Sequence, residues 1–425
     1  MRRGDEVHLG VDVGTSGVRA VAIDGTTGVV AQASAPLPVP DAVEGGLRQD
    51  PGAWWSAVTT VIRAIGAAVS GRRIASLAVD GTSGTLLVTD ARGTPLEPAS
   101  MYNDASGAGL ARRIRAVAPP ESGAHGATSP LARLLMLQER HPEARHALHQ
   151  ADWIAARLTG RLGVSDDNNA LKLGFDPVTR TWPAWLDELG IRRELLPEVV
   201  EPGSALAPML PGLAAALGVA PGCTIVAGTT DGCASFLATG AANIGDGVTA
   251  LGTTLTLKLL SDRPVFAPAH GVYSHRLGSR WLVGGASNSG GKALLRFLTP
   301  DRMAELTPAL RPDRPTGFGW HPLPDRGERF PVADPELMFT PTPLPADDLT
   351  LFQGLLEGVA EVERRGYRLL TELGSPPLRS VRTVGGGAAN LAWMEIRGRL
   401  LGVPMLPPAN LEAGYGTALL ARGGV

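Results

Sequence analysis

The stretch Leu9-Gly10-Val11-Asp12-Val13-Gly14-Thr15-Ser16-Gly17 ends a hydrophobic run in a small-residue turn that carries hydroxyls, and Val18 to Ile23 follows as a second strand-like run. The plan recurs far downstream, where Val248-Thr249-Ala250-Leu251-Gly252-Thr253-Thr254 is followed by Leu255 to Leu260. A strand, a Gly-Thr hairpin and a returning strand can wrap N–H and hydroxyl groups around a phosphate, because glycine lets the main chain approach closely. Two such hairpins predict two domains of one plan gripping a polyphosphate. Only the first carries an acid, Asp12, on the strand before the turn, where a carboxylate can hold Mg2+ through water. The expected ligand is Mg-ATP.

Composition sets the outer bounds. At 425 residues the chain exceeds one ordinary core, and it suits two domains of roughly 200 residues each. Hydrophobic content of 44% supports burial, and no apolar run reaches the roughly 18 residues of a membrane span. The start, Met1-Arg2-Arg3-Gly4-Asp5-Glu6, holds no apolar stretch for a signal peptide, so a cytoplasmic protein is expected. With a formal charge of −2 and no basic tract, neither nucleic acid nor an anionic membrane is an expected partner. Cys223 and Cys233 lack metal-ligand or disulfide spacing and read as small buried residues without a role. Lysine occurs only at Lys172, Lys258 and Lys292, and no Gly-x-x-x-x-Gly-Lys-Ser/Thr loop exists, which excludes a P-loop ATPase.

Along the first half, strand-like runs at Val7–Val13, Val18–Ile23 and Val29–Ala35 precede a helical stretch at Pro51–Val69 that opens after Asp50 as N-cap. Ile74–Asp80 reads as a strand ending in Asp80-Gly81-Thr82-Ser83-Gly84, with Thr85–Thr89 returning. This order predicts a mixed sheet with helices on its faces. Helical patterns dominate from Ala105 to Leu189, including Leu131–Arg140 and Ala151–Leu158, as an insertion walling a cleft. Thr224–Ala227 leads into Gly228-Thr229-Thr230-Asp231-Gly232, with a helix starting at Cys233. A carboxylate at such a junction points into the crevice at the strand ends, where α/β folds bind ligands. The second half repeats the plan with strands at Val248–Leu260, Gly271–His275 and Trp281–Gly284, then a helix from Gly291 to Phe297. Thr299 to Pro345 is proline-dense and reads as an extended wrapping segment. After a long helix at Leu349–Leu373, the strand Val381–Val384 runs into Gly385-Gly386-Gly387-Ala388-Ala389-Asn390, and Leu391–Leu401 has helical spacing. The boundary falls near Gly240–Gly247, giving domains 5–243 and 244–425.

These residues match a family. The chain resembles the FGGY carbohydrate kinases over essentially its whole length, within the larger actin-like ATPase fold. Six segments in family order carry the resemblance: Asp12-Val13-Gly14-Thr15-Ser16; Gly228-Thr229-Thr230-Asp231-Gly232; Gly252-Thr253-Thr254; Gly327-Glu328-Arg329-Phe330-Pro331 with Asp334-Pro335; Leu355-Leu356-Glu357-Gly358-Val359-Ala360; and Gly385-Gly386-Gly387-Ala388-Ala389-Asn390 with Trp393. The implied fold is α/β, two actin-like (ribonuclease H-like) domains, each a mixed sheet flanked by helices, with a cleft between them. The resemblance implies that Asp231 is the base that takes the proton of a sugar alcohol as it attacks the γ-phosphate. The alternative for Asp231 is a helix cap, a common role for Asp. By the same resemblance Asp12 with Asp231 holds Mg2+ through waters, Gly14 and Thr15 line the β- and γ-phosphates, and Gly252 with Thr253 grips them from the other domain. Gly385–Gly387 would lie flat under the nucleotide, with Gly386 and Gly387 against it and Asn390 and Trp393 as adenosine contacts. The alternatives are a plain strand-to-helix turn and a core aromatic. Gly290-Gly291 before a helix also faces the nucleotide on this reading, whereas Lys292 reads as a solvated or structural lysine.

Substrate choice rests on the stretch after the third core strand. Glycerol kinases show an Arg-Glu pair there and many xylulose kinases Gln-Met-His, and this chain has Asp80-Gly81-Thr82-Ser83-Gly84 instead. Small hydroxyl residues leave room for a polyol and can both donate and accept hydrogen bonds. Together with Met101-Tyr102-Asn103-Asp104, the run is similar to the small sugar kinases of cyanobacteria and plants that act on D-ribulose. The expected acceptor is a ketopentose, D-ribulose first and D-xylulose second. Ser16, Ser83 and Asp104 are the expected sugar contacts, with ordinary turn chemistry as the alternative for Ser83.

Overall fold

The computed structural model describes residues 6–43 and 46–423. Two compact units emerge: one holds the chain up to Ala238 with His275–Gly278 and the segment from Asn410 onward, and the other holds Thr239–Ser274 with Ser279–Ala409.

In the first unit a six-stranded sheet runs in the order Ala205–Pro208, Thr224–Val226, Arg73–Gly81, Glu6–Val13, Gly17–Asp24 and Val29–Pro36. Its three central strands, Thr224–Val226, Arg73–Gly81 and Glu6–Val13, are parallel, and the outer pairings are antiparallel. Successive side chains of a strand point to opposite faces, and both faces of Glu6–Val13 are covered. Leu9, Val11 and Val13 pack with Trp54, Val58 and Ile62 of the helix Pro51–Ala68. That helix starts where the Asp50 carboxylate accepts the Gly52 N–H. Gly10 faces the other way, and a Cβ there would strike the Gly414 carbonyl and the Ala418 nitrogen of the helix Ala413–Ala421. Gly416 similarly lies against the Ala234 carbonyl of the helix Asp231–Ala238. This backbone-to-backbone packing explains why the C-terminal segment joins the first compact unit. Thr85–Thr89 was expected to return beside Ile74–Asp80. Instead Leu86–Thr89 leaves the sheet and pairs antiparallel with His146–His149 and Ala99–Ser100 in a separate five-stranded sheet.

The second unit's sheet runs through Arg280–Ser287, Leu255–Ser261, Asp246–Leu251, Ser380–Val384 and Met405–Leu406. Asp246–Leu251 and Ser380–Val384 are parallel, so the hairpin after Leu251 and the glycine run after Val384 emerge at one end of the sheet. The helix Asp348–Glu372 buries Phe352, Leu355, Leu356 and Val359 against Leu257 and Val283. Both cysteines are buried, and burial pushes the Cys223 thiol up to about 12. Among the described residues no helix is long and apolar enough to cross a membrane.

One buried acid gives the first unit a pH dependence. Asp166 caps the helix Asp167–Ala170 by accepting the Asn168 and Asn169 N–H groups. Burial, reinforced by the charge of Asp152, lifts its carboxyl to about 8. Unfolded aspartate ionises near pH ~4, so as pH rises from there the unfolded chain loses a proton that the folded chain keeps. Stability contributed by neutral Asp166 is complete below that point and is lost as pH rises towards 8. Thermal melts should therefore fall from pH 5 to pH 8, and Asp166→Asn, which keeps an acceptor for the cap, should flatten the slope. An equally steep decline in the variant would contradict the assignment.

Candidate active site

The parallel register of the first unit assembles a row of carboxylates at the strand ends. Asp12 lies opposite Asp80, and a bridge between Gly81 and Thr230 brings Asp231 to the next position. Gly228 permits this approach, since a Cβ there would collide with the Val79 carbonyl. Asp231 is the first residue of its helix, is partly exposed, and accepts the Gly232 N–H at 2.6 Å. Asp231 thus engages its neighbouring backbone N–H while its side chain stays partly exposed.

Asp80 was read as the start of a sugar-contacting loop, without a role of its own. It is fully buried, accepts the Thr417 hydroxyl on Oδ2, and leaves Oδ1 without a hydrogen-bond partner. Burial lifts Asp80 well above the carboxylate range, and the charges of Asp12 and Asp231 add to the shift. Burial also raises Asp12, opposed by the adjacent Asp80 carboxyl and by Arg19, whose Nη1 lies 3.5 Å from Asp12 Oδ2. Arg19 is a second residue the sequence reading passed over; its signal is an outward-facing cation on the strand returning from the Gly14-Thr15 turn. Among the described residues no three His, Cys, Asp or Glu side chains form a metal cage by themselves. The row nevertheless offers hard oxygen donors, which suit a magnesium ion that keeps its waters and takes further ligands from substrate phosphates.

The first hairpin is tied down from within. Gly14 N–H donates to the Gly17 carbonyl at 3.0 Å, and the Thr15 carbonyl accepts from Gln49 Nε2, whose amide oxygen takes the Trp54 indole N–H. Gly14 and Thr15 are half-buried and Ser16 is exposed. Beyond Gly81, the Gln150 amide oxygen accepts both the N–H and the hydroxyl of Thr82, at 3.0 and 2.9 Å. Arg133, buried without a carboxylate partner, donates to the carbonyls of Gly84, Ser100 and Met101, and burial lowers it to about 9. The bend they hold leaves the Ser83 hydroxyl and the Gln150 amide nitrogen without partners. Asp104 does not join them. It is fully buried, Oδ2 is taken by Leu47 N–H and Arg48, and Oδ1 is taken by the N–H and hydroxyl of Ser106. With every strong acceptor site engaged inside the protein, it organises its own loop, which corrects its expected role as a sugar contact.

In the second unit one cavity of about 540 Å³ gathers Gly252, Thr253, Gly291, Gly386, Gly387, Asn390 and Trp393, all expected phosphate or nucleotide contacts. Leu294, Met303, Phe352 and Leu356 give it an apolar wall. Asn390 caps the helix Leu391–Leu401 by accepting the Trp393 N–H, and its amide donates to Thr307 at 3.3 Å. Trp393 is nearly buried with its indole N–H on the Leu356 carbonyl, so it is a core aromatic that also lines the cavity. Gly385–Gly387 was expected to lie flat under the nucleotide, and Gly386 and Gly387 line the cavity. Gly385 has φ +89° and abuts the Leu251 carbonyl, Gly387 abuts the Leu251 side chain and the Trp393 ring, and Gly386 alone opens onto free space. Backbone N–H groups of the hairpin and of the helix start beside it are engaged within the protein. Gly252 N–H bonds Thr254, Gly291 N–H bonds the Gly252 carbonyl, and Lys292 N–H bonds the Thr253 carbonyl.

Two family models match this chain: the N-terminal domain of the FGGY family of carbohydrate kinases over residues 7–238, and its C-terminal domain over residues 247–422. The chain belongs to the FGGY family of carbohydrate kinases. It is 29% identical to the xylulose kinase of Streptomyces coelicolor, over 98% of this chain and 87% of that one. Identity to the xylulose kinase of Escherichia coli is 26%, over 92% and 84%. The solved xylulose kinase of Rhodospirillum rubrum matches with a TM-score of 0.87 at 25% identity, over 98% of this chain and 90% of that one. All three of these relatives are named xylulose kinases, whereas the Gly81-Thr82-Ser83 run was expected to go with D-ribulose kinases.

Within this FGGY kinase the Gly327–Pro331 segment explains itself structurally. Glu328 is buried and accepts from the Ser287 hydroxyl, the Asn288 N–H and the Arg329 N–H, with His321 Nε2 at 2.8 Å. These bonds outweigh the opposing effect of burial and hold its carboxyl below the usual range. The carboxylate fixes the end of the strand Arg280–Ser287, from which the chain enters the Gly290-Gly291 turn.

Proposed function

We propose that this FGGY kinase transfers the γ-phosphoryl group of ATP to the terminal hydroxyl of a ketopentose, D-xylulose ahead of D-ribulose. The observation that carries this reading is the carboxylate row ending in the partly exposed Asp231; the cavity holding every expected nucleotide contact supports it, as do the names of the relatives. Asp231 accepts the proton of the C5 hydroxyl while that oxygen forms a bond to the γ-phosphorus. The bond from phosphorus to the β–γ bridging oxygen breaks, and ADP leaves. Asp12 and Asp231 would hold Mg2+ through waters; when bound, that ion neutralises charge on the phosphates. Ser83 and Ser16 bind the sugar, and the Gln150 amide nitrogen adds a donor. The apolar wall with Trp393 takes the adenine, while Gly252, Thr253 and Gly291 take the phosphate end.

The test is sugar-dependent ADP release over ketopentoses, polyols and aldoses. D-Xylulose should give the highest kcat/KM, D-ribulose the next, and glycerol should be poor because nothing here replaces the Arg-Glu pair. Glycerol or an aldohexose as best acceptor would refute the substrate assignment. ADP release that no sugar stimulates would instead favour a plain ATPase.

A further inference from the structure

Of the described residues lining the second unit's cavity, Lys292 alone is charged. Its position is fixed by the phosphate-side turn, since its N–H donates to the Thr253 carbonyl at 3.1 Å and the neighbouring Gly291 N–H donates to Gly252 at 2.8 Å. These two bonds, with the Gly252 N–H donating to the Thr254 carbonyl, remove three N–H groups of the hairpin and the adjoining helix start from the donors open to an anion. A polyphosphate brought to this end without a counter-charge would lose hydration with little in return. The Lys292 ammonium is the group that meets the need. Its partner is Asp325 at 2.9 Å, and both side chains are more than half exposed. Such pairs contribute little, roughly 0–1 kcal/mol, so the ammonium can leave Asp325 for a phosphate.

We propose that Lys292 is the phosphate-binding cation of this cavity and discriminates nucleoside polyphosphates from nucleosides. The assignment rests on the nucleotide reading of the cavity, and it replaces the expectation of a merely solvated lysine.

Calorimetric titration of the full chain with Mg-ADP and, separately, with adenosine tests it. Lys292→Met should weaken ADP about tenfold, the scale of one charge-assisted hydrogen bond, and leave adenosine within about twofold. Lys292→Arg, which keeps the charge, should recover most of the ADP affinity, and Asp325→Asn should not weaken it. Equal loss for ADP and adenosine, or no loss for either, overturns the proposal. If the wild-type protein binds neither ligand, the nucleotide reading of the cavity fails with it, a result distinct from wild-type binding that ignores Lys292.

Discussion

Asp231→Asn should lower kcat by about 10²–10⁴-fold, the usual worth of a positioned general base. Asparagine keeps the size and an acceptor for the Gly232 N–H, so the helix Asp231–Ala238 should retain its start. What is lost is basicity at the strand-end row. Because the substitution also removes an oxygen that suits Mg2+, the assay belongs at saturating Mg2+ with sugar binding checked separately. Asp12→Asn is the comparison: Asp12 is nearly buried beside Asp80 and Arg19, and its loss should shift the Mg2+ dependence more than the limiting rate. Asp231→Asn retaining more than about a tenth of wild-type kcat would assign Asp231 to capping alone. Its signature would then be a stability loss near 1 kcal/mol in Asp231→Ala, which removes the acceptor altogether.

Much of this site was legible because strand ends, Gly-Thr turns and Asp at strand-to-helix junctions are local signals. The strands around Asp12 and Asp231 and the helix Leu391–Leu401 fall where periodicity places them. Asp80 escaped because its role comes from pairing register with Asp12, a distant partner that no local window contains. The helix Ala413–Ala421 escaped for another reason. Its residues from Gly414 to Ala418 are all buried, and without a polar face there is no 3.6-residue alternation to read. Asp104 misled because a short acid in a loop looks identical in sequence whether it faces a ligand or an internal arginine. Lys292 reads as solvated or structural in sequence, and its place on the cavity lined by Gly252, Gly386 and Trp393 comes from packing that no local window contains.

Breaking the buried ion pair of the second unit should be the most damaging change to stability. Glu363 and Arg397 are both fully buried, and the guanidinium meets the carboxylate through two bonds, Nε to Oε2 at 2.6 Å and Nη2 to Oε1 at 2.7 Å. Around them, Thr249 donates to Glu363 at 2.5 Å, Arg397 Nη1 donates to Thr383 at 2.8 Å, and the Tyr367 hydroxyl lies 2.9 Å from Thr249. The cluster therefore joins the strand leading to Gly252-Thr253, the strand leading to Gly385–Gly387, and the helix that starts at Asn390. Helical charges such as these read as solvent-facing in sequence, and only the packing of the helix Asp348–Glu372 encloses them. Arg397→Met leaves the Glu363 carboxylate buried without its cation, and removal of one partner of a buried pair typically costs about 3–5 kcal/mol. Urea unfolding followed by circular dichroism should show a lower midpoint, corresponding to an unfolding free energy reduced by that amount. Replacing both residues, Glu363→Met with Arg397→Met, removes the stranded charge, so the double variant should be more stable than Arg397→Met alone even though Thr249 and Thr383 lose partners. A double variant as unstable as the single one would show that the stabilisation lies in the threonine and tyrosine bonds and not in charge pairing.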